Sequence, residues 1–256
     1  MRLSIFILTR NEEKVIKDCL ESVKWAEEII LLDGGSTDKT PEIAKEVGAR
    51  IVEQKGDNYS AWRNQGKDQT KGEWILYVDA DERILPLLKN EIQDAIRHKQ
   101  SLSLRDKPYA AYAIPRRNFL LGKELKHGGW FPDYQLRLFQ KKKLKGWVGK
   151  LHEHPEVDGE IGKLGNPMVH FQPEKIEPAL EKSIKWSEIE ADLLFKADHP
   201  KIAWWRVLRM GGTTLFDRLI KKRGFLDGTE GFIESVYQAF HTMIIYLRLW
   251  EKQTSK

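Results

Sequence analysis

The sequence predicts an α/β protein, with a doubly wound and mostly parallel central sheet followed by a helical C-terminal region. Two observations carry this reading. Before about residue 175, near-continuous apolar runs alternate with helix-period patterns, which is how parallel strands covered on both faces read. After Pro173 the strand signals stop, and apolar residues recur at three- and four-residue spacing to the end of the chain.

The elements follow in order. "RLSIFILT" (2–9) is the first strand, and a helix runs from about Glu12 to Trp25. "EEIILLD" (27–33) is the second strand. Thr40 as N-cap, Pro41 at the first helical position and Gly48 just past the end mark the next helix. "ARIVEQ" (49–54), another helical stretch and "EWILYVDAD" (73–81) complete a β-α-β-α-β-α-β series. From about 109 to 170, "YAAYAIPRR", "YQLRLFQK" and "PMVHF" are strand signals set among Gly-rich and basic loops. In the C-terminal third, Phe232, Val236, Ala239, Phe240, Met243, Leu247 and Trp250 mark one apolar helix face. Trp204, Leu208, Leu215, Phe216 and Leu219 mark another, interleaved with Arg206, Arg209, Arg218, Lys221, Lys222 and Arg223, and Gly211-Gly212 is expected to interrupt or kink it.

Composition narrows the class. With 256 residues, 32% charged and 41% hydrophobic, and with nine Trp and ten Phe, the chain can bury a full core and is not disordered. The single cysteine, Cys19, excludes an intramolecular disulfide and points to a reducing compartment. The apolar run at the N terminus is too short for a signal peptide and no run is long enough to span a bilayer, so a cytoplasmic protein is expected. A net charge of +5 favours an anionic partner: nucleic acid, a phosphorylated small molecule or an acidic membrane surface.

Ligands of open parallel sheets sit at the carboxyl ends of the strands. Strand one runs into "TRNEE" (9–13), strand two into "DGGSTD" (33–38) and strand four into "DADE" (79–82), so three polar clusters should converge on one crevice. Taken singly, Asp33-Gly34-Gly35 also reads as a tight turn, and Asp79 and Asp81 as solvated carboxylates. Residues i and i+2 of an extended segment point the same way, so Asp79 and Asp81 can address one ligand with oxygens that suit Mg²⁺ or Mn²⁺. Two carboxylates do not enclose such an ion, and a diphosphate is the natural completion. The chain has neither G-x-x-x-x-G-K-[ST] nor G-x-G-x-x-G, which argues against an ordinary ATPase or dinucleotide enzyme.

"ILTRNEE", "LLDGGSTDKT", "AWRNQG" and "YVDADE", in that order and spacing, resemble the nucleotide-sugar domain of family 2 glycosyltransferases, which have the GT-A fold. "GGWFPDYQLRLFQ", "LHEHPEV", "VHF" and "KKRGFLDGTEGF" further resemble a small subgroup that includes the lipopolysaccharide-core β-glucosyltransferases. The resemblance implies inverting transfer from a nucleoside-diphosphate sugar, with UDP expected, to a glycan or lipid-linked glycan. It implies that Thr9, Arg10, Asn11 and Glu12 line the nucleoside pocket and that Asp33 accepts a hydrogen bond from the base or ribose. Arg63 would lie near the diphosphate or base, with Asn64 holding its loop. Asp79 would face the ribose and donor sugar, and Asp81 would bind the metal. Many family members carry an aromatic residue at the position of Arg10, and a guanidinium can stack on a base as a ring does.

For the general base, the resemblance implies Glu153, because "RLFQKKKLKGWVGKLHE" is similar to the family's strand, Gly-rich turn and final carboxylate, with Asp133 in "GGWFPDYQ" as the rival. His152 and His154 read as loop histidines. His170 is a further metal-ligand candidate, though a His between Val169 and Phe171 also reads as a hydrogen-bonded core residue.

The expected domains are 1–174, with a nucleotide-sugar half to about 100 and an acceptor half to 174, and a helical region 175–256. Its stripes either pack on the rest of the protein or meet an anionic membrane surface, which would place the protein peripherally on the inner face of the cell membrane. Transfer to a soluble or protein acceptor and nucleotidyl transfer are the rival enzymatic readings. Nucleic acid is not expected as a partner, because it leaves the strand-end acidic clusters unexplained.

Overall fold

The structure, a computed structural model, describes residues 2–55, 58–97, 109–149, 153–172 and 176–255. The chain divides into two compact units, Met1–Arg116 with Tyr134–His170, and Arg117–Asp133 with Phe171–Lys256. The second unit therefore includes 117–133 as well as the C-terminal helices.

Four parallel strands form one side of the main sheet: β1 (Leu3–Thr9), β2 (Glu28–Asp33), β3 (Arg50–Glu53) and β4 (Trp74–Asp79). Next along the chain come the short β5 (Glu82–Arg83), β6 (Ala111–Leu120), β7 (Lys123–Leu125), β8 (Asp133–Gln140) and β9 (Leu144–Val148). They are followed by β10 (His154–Val157), β11 (Ile161–Lys163) and β12 (Met168–Phe171). The sheet order is β3-β2-β1-β4-β8-β6-β12-β5, with β8 antiparallel to β4, while β9 and β10 form a separate antiparallel pair. The strand order turns back at β1: β2 and β3 lie to one side of it and β4 to the other, so the loops after β1, β2 and β4 gather at one end.

The central position of β1 explains its composition. Ile5, Phe6 and Ile7 are fully buried, because both faces of the strand are covered. Helices α1 (Ile16–Val23), α2 (Thr40–Glu46), α3 (Tyr59–Gln69) and α4 (Pro86–Arg97) supply the covering layers. Cys19 on α1 is buried with Leu20 and Val23, and its Sγ approaches the Asp79 carbonyl oxygen at 3.5 Å. Burial pushes its thiol pKa well up.

Two local expectations differ from the structure. Helix α1 begins at Ile16 rather than near Glu12, because residues 11–13 are drawn into loop hydrogen bonds and Asn11 sits in the left-handed region at φ 57°. Thr40 does not cap α2 but is its first residue. The Asp38 carboxylate takes the Thr40 N–H at 3.0 Å, and the Thr40 hydroxyl is spent on Asp38 and on the Glu12 N–H.

In the second unit, α5 (Ile176–Lys196), α6 (Trp204–Phe216) and α7 (Gly228–Thr254) follow one another, with a π-helical turn Asp217–Lys221 and a 3₁₀ turn Gly224–Asp227 between the last two. Gly211-Gly212 does not break α6. A Cβ on Gly211 would lie 2.5 Å from Met243 Cγ, so this glycine lets α6 approach α7 closely. The face of α7 that packs only partly coincides with the predicted apolar stripe, of which Ala239 is buried and Met243 lies against Gly211. Gly231, Ser235, Ala239, Ile245 and Leu249 are buried, whereas Phe232, Val236, Phe240, Leu247 and Trp250 are exposed. Gly231, Ser235 and Ala239 are small enough for close helix contacts, Ile245 and Leu249 pack beside them, and Phe232, Phe240 and Trp250 are left outside.

Candidate active site

The loops after β1 and β2 are laced together. Thr9 and Asp33 are partners in the β1–β2 register, and the Gly34 N–H donates to the Thr9 carbonyl at 2.9 Å. Asn11 Oδ1 accepts the Thr37 N–H at 2.8 Å, while the Asn11 N–H donates to Ser36 Oγ at 2.8 Å. The Glu12 N–H donates to Thr40 Oγ1, and Glu13 and the 38–39 segment exchange two bonds of 3.1 Å. Such a floor is pre-formed. Asp33 holds its own turn, accepting from the Gly35 and Ser36 N–H groups and from Ser36 Oγ. That uses three of about four acceptor sites on a carboxylate. Arg10 is exposed beside this floor, and Thr9 Oγ1 is buried with no hydrogen-bond partner among the described residues.

The three carboxylates of "DADE" have separate environments. Glu82 is fully buried; its Oε2 accepts the Asp79 N–H at 3.0 Å, and its Oε1 accepts Arg137 Nη2 at 2.6 Å with Arg116 at 3.4 Å. Asp79 Oδ2 accepts the same Arg137 Nη2 at 2.5 Å, and Oδ1 accepts a hydrogen bond from the Tyr77 hydroxyl. Arg83 donates to the carbonyls of Ala80, Glu82 and Val15, fixing the loop backbone.

The shared cation separates the two acids. Burial by itself raises Asp79, but Arg137, the Tyr77 hydroxyl and Arg63 outweigh it and hold the carboxyl at about 2. Glu82 is pushed up instead, by burial and by the Asp79 charge, with Arg137 and Arg116 opposing. Burial disfavours the charge on Arg137, yet its two carboxylates hold its pKa well above the ordinary value.

Asp81 is the carboxylate left over. Its Oδ2 lies 3.4 Å from His170 Nε2, and its Oδ1 is buried without a partner among the described residues. The structure thus brings together the two residues that the sequence nominates as metal ligands. Among the described residues, no group of three or more His, Cys, Asp or Glu is arranged to hold a metal ion. A two-ligand site with an unused carboxylate oxygen fits an ion that completes its shell with water and phosphate.

Arg63 on α3 bridges this cluster to the next. Its Nη1 is ion-paired with Glu153, its Nη2 donates to the Tyr77 hydroxyl at 3.2 Å, and its guanidinium lies 4.7 Å from the Tyr77 ring centroid. Arg137 lies over the same ring at 4.4 Å. Burial pushes the Tyr77 hydroxyl pKa up, as does the Asp79 charge, so it remains a donor. Asn64, next to Arg63 on α3, donates its side-chain amide to the Trp147 carbonyl at 2.9 Å and accepts the Trp147 N–H at 2.8 Å, tying α3 to β9 rather than holding a loop.

Glu153 and Asp133 fall in different units. Asp133, at the start of β8, accepts from Asn118 Nδ2 at 3.2 Å. His154 opens β10 and is exposed, and His152 lies outside the described residues. Sequence reasoning gave no role to Tyr77, Glu82, Arg116 or Arg137. The signal was present for Arg137, a charge inside the apolar strand run "LRLF", where burial demands a partner.

The family model for "Glycosyl transferase family 2" matches residues 4–147, from β1 into β9. The chain belongs to this family. Its parallel β1–β4 core, antiparallel β8 and helical C-terminal region are the GT-A type of α/β fold that its motifs imply. An uncharacterized glycosyltransferase of Rickettsia bellii is 28% identical to this family 2 glycosyltransferase over 98% of this chain and 86% of that one. The lipopolysaccharide core biosynthesis glycosyltransferase LpsC of Rhizobium meliloti is 24% identical over 99% and 94%. Among solved structures, S. aureus TarS 1-349 in complex with UDP-GlcNAc aligns with a TM-score of 0.49 at 13% identity, over 99% of this chain and 91% of that one. Glucosyl-3-phosphoglycerate synthase from Mycobacterium tuberculosis, in complex with Mn²⁺, UDP and glucosyl-3-phosphoglycerate, aligns at 0.48 and 16% identity over 78% and 81%.

Proposed function

We propose that this glycosyltransferase moves a sugar, with inversion, from a UDP-sugar to a glycan or glycolipid acceptor of the cell envelope, with lipopolysaccharide core as the leading class. The observation that carries the reading is the segregation of the "DADE" acids at the end of β4. Glu82 is buried as a structural anion and Asp79 is locked between Tyr77 and Arg137. Asp81 keeps an unpartnered oxygen beside His170. The likeness over nearly the full length to a relative named for lipopolysaccharide core biosynthesis supports the acceptor class.

In this reading the floor formed by Thr9, Arg10, Asn11, Glu12 and Asp33 receives the nucleoside, and the exposed Arg10 stacks on the base. Asp79 faces the ribose and donor sugar. Asp81 and His170 would hold a Mg²⁺ or Mn²⁺ ion, which supplies charge neutralisation to the departing diphosphate. Arg63 adds a fixed positive charge to the same end. Glu153 takes the acceptor proton through Oε2, since Arg63 occupies Oε1. Asp133 remains the rival base. The domain division at 174 belongs to the same proposal, as do a cytoplasmic location and, for a lipid-linked acceptor, a peripheral place at the inner membrane face.

The test is hydrolysis and transfer with UDP-sugars, GDP-sugars and free nucleotides, each with Mn²⁺ and with chelator. Turnover of UDP-sugars alone, stimulated by Mn²⁺, is expected. Release of pyrophosphate from nucleotides would instead establish nucleotidyl transfer, and turnover of no nucleotide-sugar would overturn the reading.

A further inference from the structure

Helix α6 carries its large apolar side chains on the wrong side for a packed helix. Its buried residues are Val207 and Gly211, the latter against Met243 of α7. On the outside, Trp204, Leu208, Phe216 and Ile220 recur in steps of four with Gly212 in the remaining place, and they are 76, 57, 61 and 49% exposed. Residues four apart are neighbours on a helix surface but advance about 40° per step, so this is one inclined ridge that winds through about 120° from Trp204 to Phe216 and runs into the π-helical turn. A helix that only packs shows the opposite pattern, apolar toward its neighbours and polar outward. Exposed apolar patches of this kind mark a surface that meets something.

The charges select the occupant. Residues 201–223 hold seven Lys or Arg and one acid, Asp217. The guanidinium groups of Arg206 and Arg209 each lie 5.6 Å from the centroid of Trp205, which is itself 46% exposed. A symmetric contact with a second copy of the chain would set this positive face against itself, and like charges across an interface are costly. An anionic bilayer neutralises them. The 13 residues of α6 are far too few to span a bilayer, and among the described residues no helix is long and apolar enough to cross a membrane. Helices with Trp, Phe and Leu on one side and Arg and Lys beside them lie instead in the headgroup plane.

We infer that α6 is an interfacial membrane-docking helix. Trp204, Leu208, Phe216 and Ile220 enter the acyl boundary of an anionic bilayer, and Arg206, Arg209 and the basic turn 221–223 meet its lipid phosphates. The inference rests on the proposed function for a membrane-borne acceptor, but its test needs neither donor nor acceptor, so the two can fail separately.

Vesicle co-sedimentation of the full chain tests it, using phosphatidylcholine vesicles with and without phosphatidylglycerol. Binding is expected only with the anionic lipid. It should fall steeply from about 0.1 M to about 1 M salt, as the screening length drops from about 10 Å to about 3 Å. W204S/F216S should weaken it by about tenfold or more, since two large apolar groups no longer leave water. Gly212→Leu supplies a gain of binding, read against a vesicle-free control so that aggregation is not counted. A Cβ at Gly212 meets nothing within 4 Å, so a leucine there fills the gap in the ridge, and binding should tighten roughly three- to tenfold. Far-UV circular dichroism checks that each variant is folded. The inference is overturned if the wild type ignores anionic vesicles, or if G212L and W204S/F216S bind as the wild type does. It is also overturned if sedimentation velocity shows a wild-type dimer that W204S/F216S dissolves, which would assign the ridge to a second copy.

Discussion

Arg63 and Glu153 form an ion pair that ties α3 to the residue just before β10, 90 positions away in sequence. Both side chains are largely buried, 14 and 12% exposed, so neither charge has water as an easy substitute for the other. The proposed base and the proposed diphosphate-side cation therefore hold each other in place before any substrate arrives.

The first prediction assigns the proton. Glu153→Gln keeps the shape and a hydrogen bond to Arg63 but cannot take a proton near neutral pH. Single-turnover transfer should slow by about two to four orders of magnitude. Donor affinity, measured by calorimetry, should stay within a few-fold. If Asp133→Asn is dead with donor affinity intact while Glu153→Gln turns over normally, the roles are exchanged.

Asp81 gives a second prediction. Asp81→Asn removes the charge but not the volume of a side chain with an unpartnered oxygen, so the fold should persist and Mn²⁺ stimulation should vanish. Turnover with and without chelator decides it: a variant still stimulated by Mn²⁺ would place the ion elsewhere.

A third concerns the buried cation. Arg137→Met leaves Glu82 fully buried with Arg116 at 3.4 Å as its remaining cation, and thermal or denaturant unfolding should show a loss of about 3–5 kcal/mol. Adding Glu82→Gln to that variant should restore part of the stability, because the stranded charge is gone. An unchanged double mutant would mean that the loss came from packing.

The fourth is a pH dependence in the second unit. Glu234 is buried on α7, and burial raises its pKa to about 7 despite a 2.7 Å bond from Gln238 and the nearby Arg218 charge. The unfolded chain releases this proton near the ordinary 4.5, so between that value and about 7 the native state binds more protons. Stability should therefore fall as pH rises through this window, by about 3 kcal/mol in total. Glu234→Gln should remove that slope and raise the melting temperature at pH above about 7. An identical slope in the variant would assign it to other groups.

The strands of the nucleotide-sugar half were legible because their faces are both covered: the runs at 2–9, 27–33 and 73–81 each contain the observed strand with little to spare. Asp81 and His170 were nominated separately as metal-ligand candidates, and the structure places them 3.4 Å apart. What sequence could not give was the division of labour among Asp79, Asp81 and Glu82. That depends on Arg137, which arrives from β8 some 55 positions later, and on which acid it neutralises. The direction of the C-terminal stripes stayed open for a related reason. Periodicity finds an apolar face but not its direction: Val207, Gly211, Ala239, Ile245 and Leu249 are buried, while Trp204, Leu208, Phe216, Phe232, Phe240 and Trp250 face out.

The burial of Cys19 makes the native chain silent to thiol-directed reagents. It is the sole cysteine, it lies in the core, and its raised pKa leaves almost no thiolate to react. A single cysteine introduced at Gly212, where nothing crowds a side chain, would accept a fluorophore or spin label at one defined position without any background substitution. Emission shift or relaxation by lipid-borne and water-borne quenchers would then report how deep that point of α6 sits.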